Sequence, residues 1–402
     1  MFQLEPAYRR ARTLPRGVWA LGAVSLCMDV SSELIHSLLP VYLTVTLGAS
    51  LVSVGLIEGA AESVAALVRV FSGALSDRLR RRKAVALAGY ALAALSKPIF
   101  PLATTVGTVF AARFIDRIGK GIRGAPRDAL VADLTPAHLR GAAFGLRQSL
   151  DSVGAFLGPL FAIALMVWLA GEFRSVLWLA TLPAWIAVGV LLFAVHEPRA
   201  TSQRAATGAP VSGAAMLRLP AKFWRVAALG GVFTLARFSE AFLVLRVQGL
   251  GIALAYVPAV LVVMNLAYAG FAWLAGAWAD RMRPSTLLAA GLGVLVIADM
   301  VLAAASATWV ALLGAALWGL HMAMTQGLFA KLIADHAPAD LRGTAFGVFN
   351  FIGAAAVLLA SAIAGALWAK FGAPAAFVAG GSFALLAMTG LLMVRGRNHD
   401  DG

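Results

Sequence analysis

One cysteine, Cys27, stands among 402 residues, which excludes intrachain disulfides and thiolate metal clusters. The six histidines, at 36, 138, 196, 321, 336 and 399, show no metal-ligand spacing, so no metal centre is expected. Charge is scarce: Asp, Glu, Lys and Arg make up 13% of the chain, about half the share of soluble domains, while apolar residues reach 61%. Acid is scarcer than base, 19 against 33, for a formal net charge of +14. That charge lies in the short breaks between apolar runs, where a cytoplasmic membrane face accounts for it without nucleic acid. A phosphate-binding loop is also missing, because the glycine required five residues before the Gly119-Lys120 pair is absent. With no ATP-hydrolysing module and no cofactor motif, the expected class is not an enzyme.

Long apolar runs fill the rest of the chain, at 17–47, 52–75, 84–104, 107–126, 141–170, 175–195, 226–248, 255–278, 286–304, 308–330, 343–369 and 374–394. Each is long enough to cross a hydrocarbon core, which takes about 20 residues per helix. The first is too long for a signal-peptide core and lacks a cleavage site, so it is expected to remain as helix one. Alternate loops hold the arginines and lysines, among them Arg78, Arg80, Arg81, Arg82 and Lys83, whereas the opposite loops offer little beyond Glu172, Arg174 and Lys370. This bias predicts cytoplasmic termini in a multi-pass cell-membrane protein, a bacterial inner membrane being the expected one. The parts are then a cytoplasmic N-terminus (1–16), a six-helix bundle (17–195), a cytoplasmic linker (196–225), a second six-helix bundle (226–394) and a cytoplasmic tail (395–402).

An internal repeat supports the division. Leu130–Gly145 (LVADLTPAHLRGAAFG) recurs as Leu332–Gly347 (LIADHAPADLRGTAFG), offset by 202 residues, and Gly73–Arg78 (GALSDR) recurs as Gly276–Arg281 (GAWADR), offset by 203. Ser32-Glu33 is echoed by Ser239-Glu240. Six spans per half give both halves the same orientation, hence parallel repeats about an axis along the membrane normal.

These residues carry a resemblance to the major facilitator superfamily, of its drug:proton antiporter type. The family's loop signature between helices two and three, G-x-L-[AS]-D-R-x-G-R-[KR], is matched by Gly73, Leu75, Ser76, Asp77, Arg78, Arg81 and Arg82, with Arg80 in place of its second glycine. The second copy retains Gly276, Asp280 and Arg281. The resemblance implies an all-α membrane fold of twelve transmembrane helices in two six-helix repeats, in which this loop latches the cytoplasmic gate. Gly154-x-x-x-Gly158-Pro159 is similar to the motif that marks antiporters in the family, where glycines admit close helix approach and proline bends the helix. Arg117 takes the place of the arginine in the family's helix-four motif.

Charges inside the runs are the most informative residues, since each costs about 2.5–3.5 kcal/mol at a helix centre on insertion scales. Leaving out Arg123 at a helix end, the first half holds Asp29, Glu33, Glu58, Glu62, Asp116 and Asp151 against Arg69, Lys97, Arg113, Arg117, Lys120 and Arg147; the second holds only Glu240 and Asp299 against Arg237 and Arg246. The first half is therefore expected to carry the coupling chemistry. Helical spacing groups Asp29, Glu33 and His36 on one face, Glu58 with Glu62, Arg113, Arg117 and Lys120 in a basic stripe beside Asp116, and Arg147 with Asp151. Carboxylates in low dielectric suit a proton relay. The expectation is a monomeric secondary transporter in the lipid bilayer that exports a small organic molecule in exchange for protons, Glu33 being the first proton carrier, with Asp29, Glu58 and Glu62 beside it. Two other readings stay open on sequence alone: uptake or exchange of a small anion at Arg113, Arg117 and Lys120, and an intramembrane lipid-modifying enzyme using His36 near Glu33.

Overall fold

The computed structural model describes residues 13–79, 81–197, 216, 218–325, 328, 332–333, 337–338 and 341–400, apart from the side chains of 74, 77, 137, 273, 277, 279–281, 342–343 and 394–400. Among these residues all regular structure is helical. The helices are α1 (Arg16–Val41), α2 (Leu51–Leu79), α3 (Arg82–Ser96), α4 (Val106–Leu134), α5 (Arg140–Trp168), α6 (Phe173–Ala194), α7a (Ala221–Leu235), α7b (Ala241–Gly249), α8 (Ala259–Arg281), α9 (Pro284–Ala304), α10 (Thr308–Thr325), α11 (Arg342–Phe371) and α12 (Ala373–Asp400).

Ten stretches are long and apolar enough to cross a membrane. The two remaining crossings depart from that standard for separate reasons. Helix α4 carries Arg113, Asp116, Arg117, Lys120 and Arg123 within three turns. Helix seven, expected as one run over 226–248, is broken: α7a stops at Leu235 and α7b starts at Ala241, with Glu240 at its N-cap and Ser239 Oγ accepting the Ala241 amide at 3.2 Å. Two further boundaries differ from expectation. Helix four extends past 126 to Leu134, so Arg127, Asp128 and Asp133 lie on it, and helix one ends in a wide turn over Tyr42–Thr46. Proline accounts for two other interruptions, at Lys97-Pro98 after α3 and near Ala180, three residues before Pro183.

Contacts divide the chain into two units, Met1–Leu38 with Val64–Thr207 and Leu39–Ser63 with Gly208–Gly402. In the first, Leu21, Val24 and Met28 of α1 pack with Ala86, Tyr90 and Ala93 of α3 and with Ala184, Ala187 and Leu191 of α6. Helices α3 and α4 touch through glycine: a Cβ on Gly119 would stand 2.7 Å from the Gly89 carbonyl. In a membrane such approach supplies dispersion that burial from water cannot. In the second unit, Phe238, Phe242, Trp318, Trp368 and Phe377 form an aromatic cluster with ring centroids 5.4–5.8 Å apart. The start of α2 belongs here, with Ser63 Oγ donating to the Ala354 carbonyl of α11 at 2.5 Å and Gly59 against Leu358. Of the 196–225 linker, residues 198–215 and 217 lie outside the described residues, as do 1–12, and α7a already begins within it at Ala221.

Candidate translocation and coupling site

In the first unit the candidate carboxylates of α1 stand on the stripe that α5 meets with its glycines. A Cβ on Gly154 would lie 2.9 Å from Asp29 Cβ, and one on Gly158 would lie 2.7 Å from Glu33 Cβ and 2.9 Å from the Leu34 amide. The four-residue spacing of Asp29 and Glu33 on one helix thus matches that of Gly154 and Gly158 on the other, and Pro159 follows the second glycine. Both carboxylates remain partly accessible, and Glu33 Oε2 meets His36 Nδ1 at 3.2 Å. Glu33 is 20% exposed and His36 9%, so the pair borders a more open region while leaning on helix packing.

Next to it lies a fully buried charge cluster. Lys97, at the bend that follows α3, places Nζ 2.9 Å from Asp116 Oδ1 and donates to Ser32 Oγ of α1 at 3.0 Å. Arg113 Nη1 and Arg117 Nε approach the other oxygen of Asp116 at 4.0 and 3.9 Å. All four side chains are no more than 2% exposed. Lys120, the third member of the expected stripe, is exposed. A turn further on, the Arg123 guanidinium sits 4.9 Å over the Tyr90 ring.

A ladder of ion pairs continues along α4. Asp128 receives Arg69 of α2 at 3.0 Å, Arg127 at 3.2 Å and Arg147 of α5 at 3.5 Å; Arg147 also pairs with Asp151 at 2.8 Å, as its i,i+4 spacing anticipates, and Arg127 donates to Ser25 Oγ of α1 at 3.0 Å. Arg127 and Asp128 lie beyond the apolar run that ends at 126, and the extension of α4 to Leu134 brings both onto the helix. Arg82, from the loop motif, pairs with Asp133 near the end of α4. Of the gate motif, Gly73 faces Ala125 of α4 and Arg78 and Arg81 are exposed, while the side chains of Asp77, Asp280 and Arg281 lie outside the described residues.

The other candidates belong by contact to the second unit. Glu58 is fully buried and Glu62 partly so. Arg237 and Glu240 stand in the break of helix seven, with the Arg237 guanidinium 5.8 Å over Phe233. Unwound backbone inside a crossing is tolerated where protein or a water-filled cavity surrounds it, and transporters place substrate groups at such breaks. Arg246 takes no part: it donates to the carbonyls of Leu302 and Ala305 at 2.9 and 2.5 Å, closing the C-terminal end of α9. Among the described residues no group of His, Cys, Asp and Glu is arranged to hold a metal ion.

The geometry joins with what the chain is similar to. A model of the Major Facilitator Superfamily matches residues 21–361 and 248–401. An MFS-type transporter of Methanocaldococcus jannaschii is 29% identical over 390 residues, 95% of each chain. The multidrug resistance protein MdtH of Photorhabdus laumondii is 30% identical over 169 residues, 42% of this chain and 41% of that one. In fold, the nucleoside transporter NupG superposes with a TM-score of 0.78 at 12% identity, covering 94% of this chain and 99% of that one. A chain with twelve helical crossings, two repeats and buried charge of this kind belongs to the Major Facilitator Superfamily of membrane transporters.

Proposed function

We propose that this transporter exports a small organic, drug-like compound in exchange for protons, by alternating access between two six-helix bundles, and that it works as a monomer in a bacterial inner membrane with both termini in the cytoplasm. The observation that carries the proposal is the seating of Asp29 and Glu33 on Gly154 and Gly158. A proton bound at Glu33 changes the charge on the surface where α1 meets α5, so protonation acts directly on a helix contact that rocking must alter. Glu33 is the proton carrier, Asp29 and the Glu58/Glu62 pair are further acid sites, and Arg117 sets their electrostatic surroundings. Asp77, Arg78 and Arg81, with Asp280 and Arg281, form the cytoplasmic latch. The partial match to a multidrug resistance protein supports the compound class.

Ethidium provides a first probe. Cells making the protein should retain less dye than cells without it, and an uncoupler should remove the difference. Equal retention of ethidium and of a broad panel of lipophilic dyes would refute export of this class. The exposed Lys120 on the basic stripe of α4 favours a second reading, exchange of small organic anions. Competition of dye efflux by benzoate and similar carboxylates, with no effect from neutral analogues, would move the assignment to that reading.

A further inference from the structure

The second unit holds a carboxylic acid to which no sequence pattern assigned a role. Asp299 lies on α9, where it is the only titratable residue between Pro284 and Ala304, and it is fully buried. Neither Oδ1 nor Oδ2 has a hydrogen-bond partner among the described residues. Its surroundings are shaped to receive it. A Cβ on Gly380 of α12 would stand 2.9 Å from Asp299 Oδ2 and 2.8 Å from Phe238, and one on Gly381 would stand 3.5 Å from Asp299 Cβ. Two successive glycines thus leave room for the carboxyl group, and the Phe238 ring closes the pocket beside the break in helix seven.

Among the described residues, no titratable or charged group on the neighbouring elements hydrogen-bonds Asp299. His321 of α10 places Nδ1 2.7 Å from the Gly291 carbonyl, two turns before Asp299 on α9. Arg246 of α7b bonds the C-terminal carbonyls of α9, and Arg237 and Glu240 stand in the break, Arg237 over Phe233. Tyr268 lies on α8, and α12 has no titratable residue from Ala373 to Met393. By the 202-residue repeat, Asp299 takes the position of Lys97, and Trp318 that of Asp116. The first unit meets its buried charge with a partner, whereas the second replaces the partner with an indole. An ionised carboxylate in such a place bears a desolvation cost far above that of a neutral acid lacking one hydrogen bond, so the neutral form wins.

We propose that Asp299 is a proton-binding site inside the second unit, occupied in the conformation described. The site is distinct from Glu33 and holds whether or not Glu33 couples transport.

Infrared spectra of the full-length protein in lipid test it directly. A carboxylic-acid C=O band that shifts in heavy water should persist as the pH is raised through the range that ionises exposed carboxylates, and Asp299→Asn should remove it. Gly380→Ala, whose Cβ presses on Oδ2, should shift the same band, as read with isotope-labelled aspartate, and this holds the test open should Asp299→Asn not fold. Superimposable spectra of wild type and Asp299→Asn at every pH would overturn the proposal. So would an Asp299 band that vanishes in step with exposed carboxylates, or one that Gly380→Ala leaves unmoved.

Discussion

Lys97 and Asp116 face each other at 2.9 Å with almost no exposure, and two arginines share the same carboxylate. Removing one member of a buried pair leaves a charge that nothing nearby solvates, at about 3–5 kcal/mol. Asp116→Asn strands three cations and Lys97→Met strands one anion that still has Arg113 and Arg117. Thermal unfolding of the purified variants should therefore show Asp116→Asn as the less stable, and the reverse order would contradict the charge count. This pairing was not legible in the sequence. Spacing along a helix reveals partners on that helix, as with Glu33 and His36 or Arg147 and Asp151, which do meet. Lys97 reaches across from another helix, guided by the bend at Pro98, and a linear pattern contains no measure of that distance.

At the scale of helices, α5 contains its own control. Gly158 and Gly154 have α1 within 3.0 Å of an added Cβ, whereas Gly145 has nothing within 4 Å. Gly158→Ala should force α1 and α5 apart, at about 1–3 kcal/mol of overpacking, and lower transport severalfold. Gly145→Ala should be neutral or stabilise the helix by up to about 1 kcal/mol. Equal dye efflux from the two variants at equal membrane abundance would show that the close contact does not serve transport. The glycine motif was visible in the sequence, but its neighbour was not. The helix-seven break was less visible still, because 226–248 contains no proline. A local sign is Ser239, whose hydroxyl accepts the Ala241 amide just before α7b, and the apolar run on either side masks it. Helix four was cut short for the opposite reason, since Arg127 and Asp128 read as loop until ion pairs neutralise them.

For the whole molecule, twelve apolar runs, a two-fold repeat and the sidedness of charge make a multi-pass helical membrane fold in two halves legible in the sequence, because hydrocarbon thickness and charge sidedness act on sequence directly, whereas the family rests on the likeness of the loop motif at Gly73 to Arg82 and on the match of the family's model. The same sidedness predicts an orientation that can be tested. In a variant lacking Cys27, a cysteine replacing Glu172 should react with an impermeant thiol reagent added outside intact cells, and one replacing Arg283 only after the cytoplasmic face is opened; both positions are exposed. Swapped reactivity would invert the topology.

Coupling between proton and substrate is tested most directly in proteoliposomes holding only this protein, with a pH gradient imposed and ethidium as the transported probe. Wild type should move dye against its concentration while protons flow the opposite way, and an uncoupler should stop both. Glu33→Gln should abolish gradient-driven dye movement yet keep dye exchange at equal pH, since glutamine mimics the protonated side chain permanently. Dye flux in wild type that ignores the gradient, or a glutamine variant that still exchanges protons for dye at the wild-type ratio, would contradict proton coupling at Glu33.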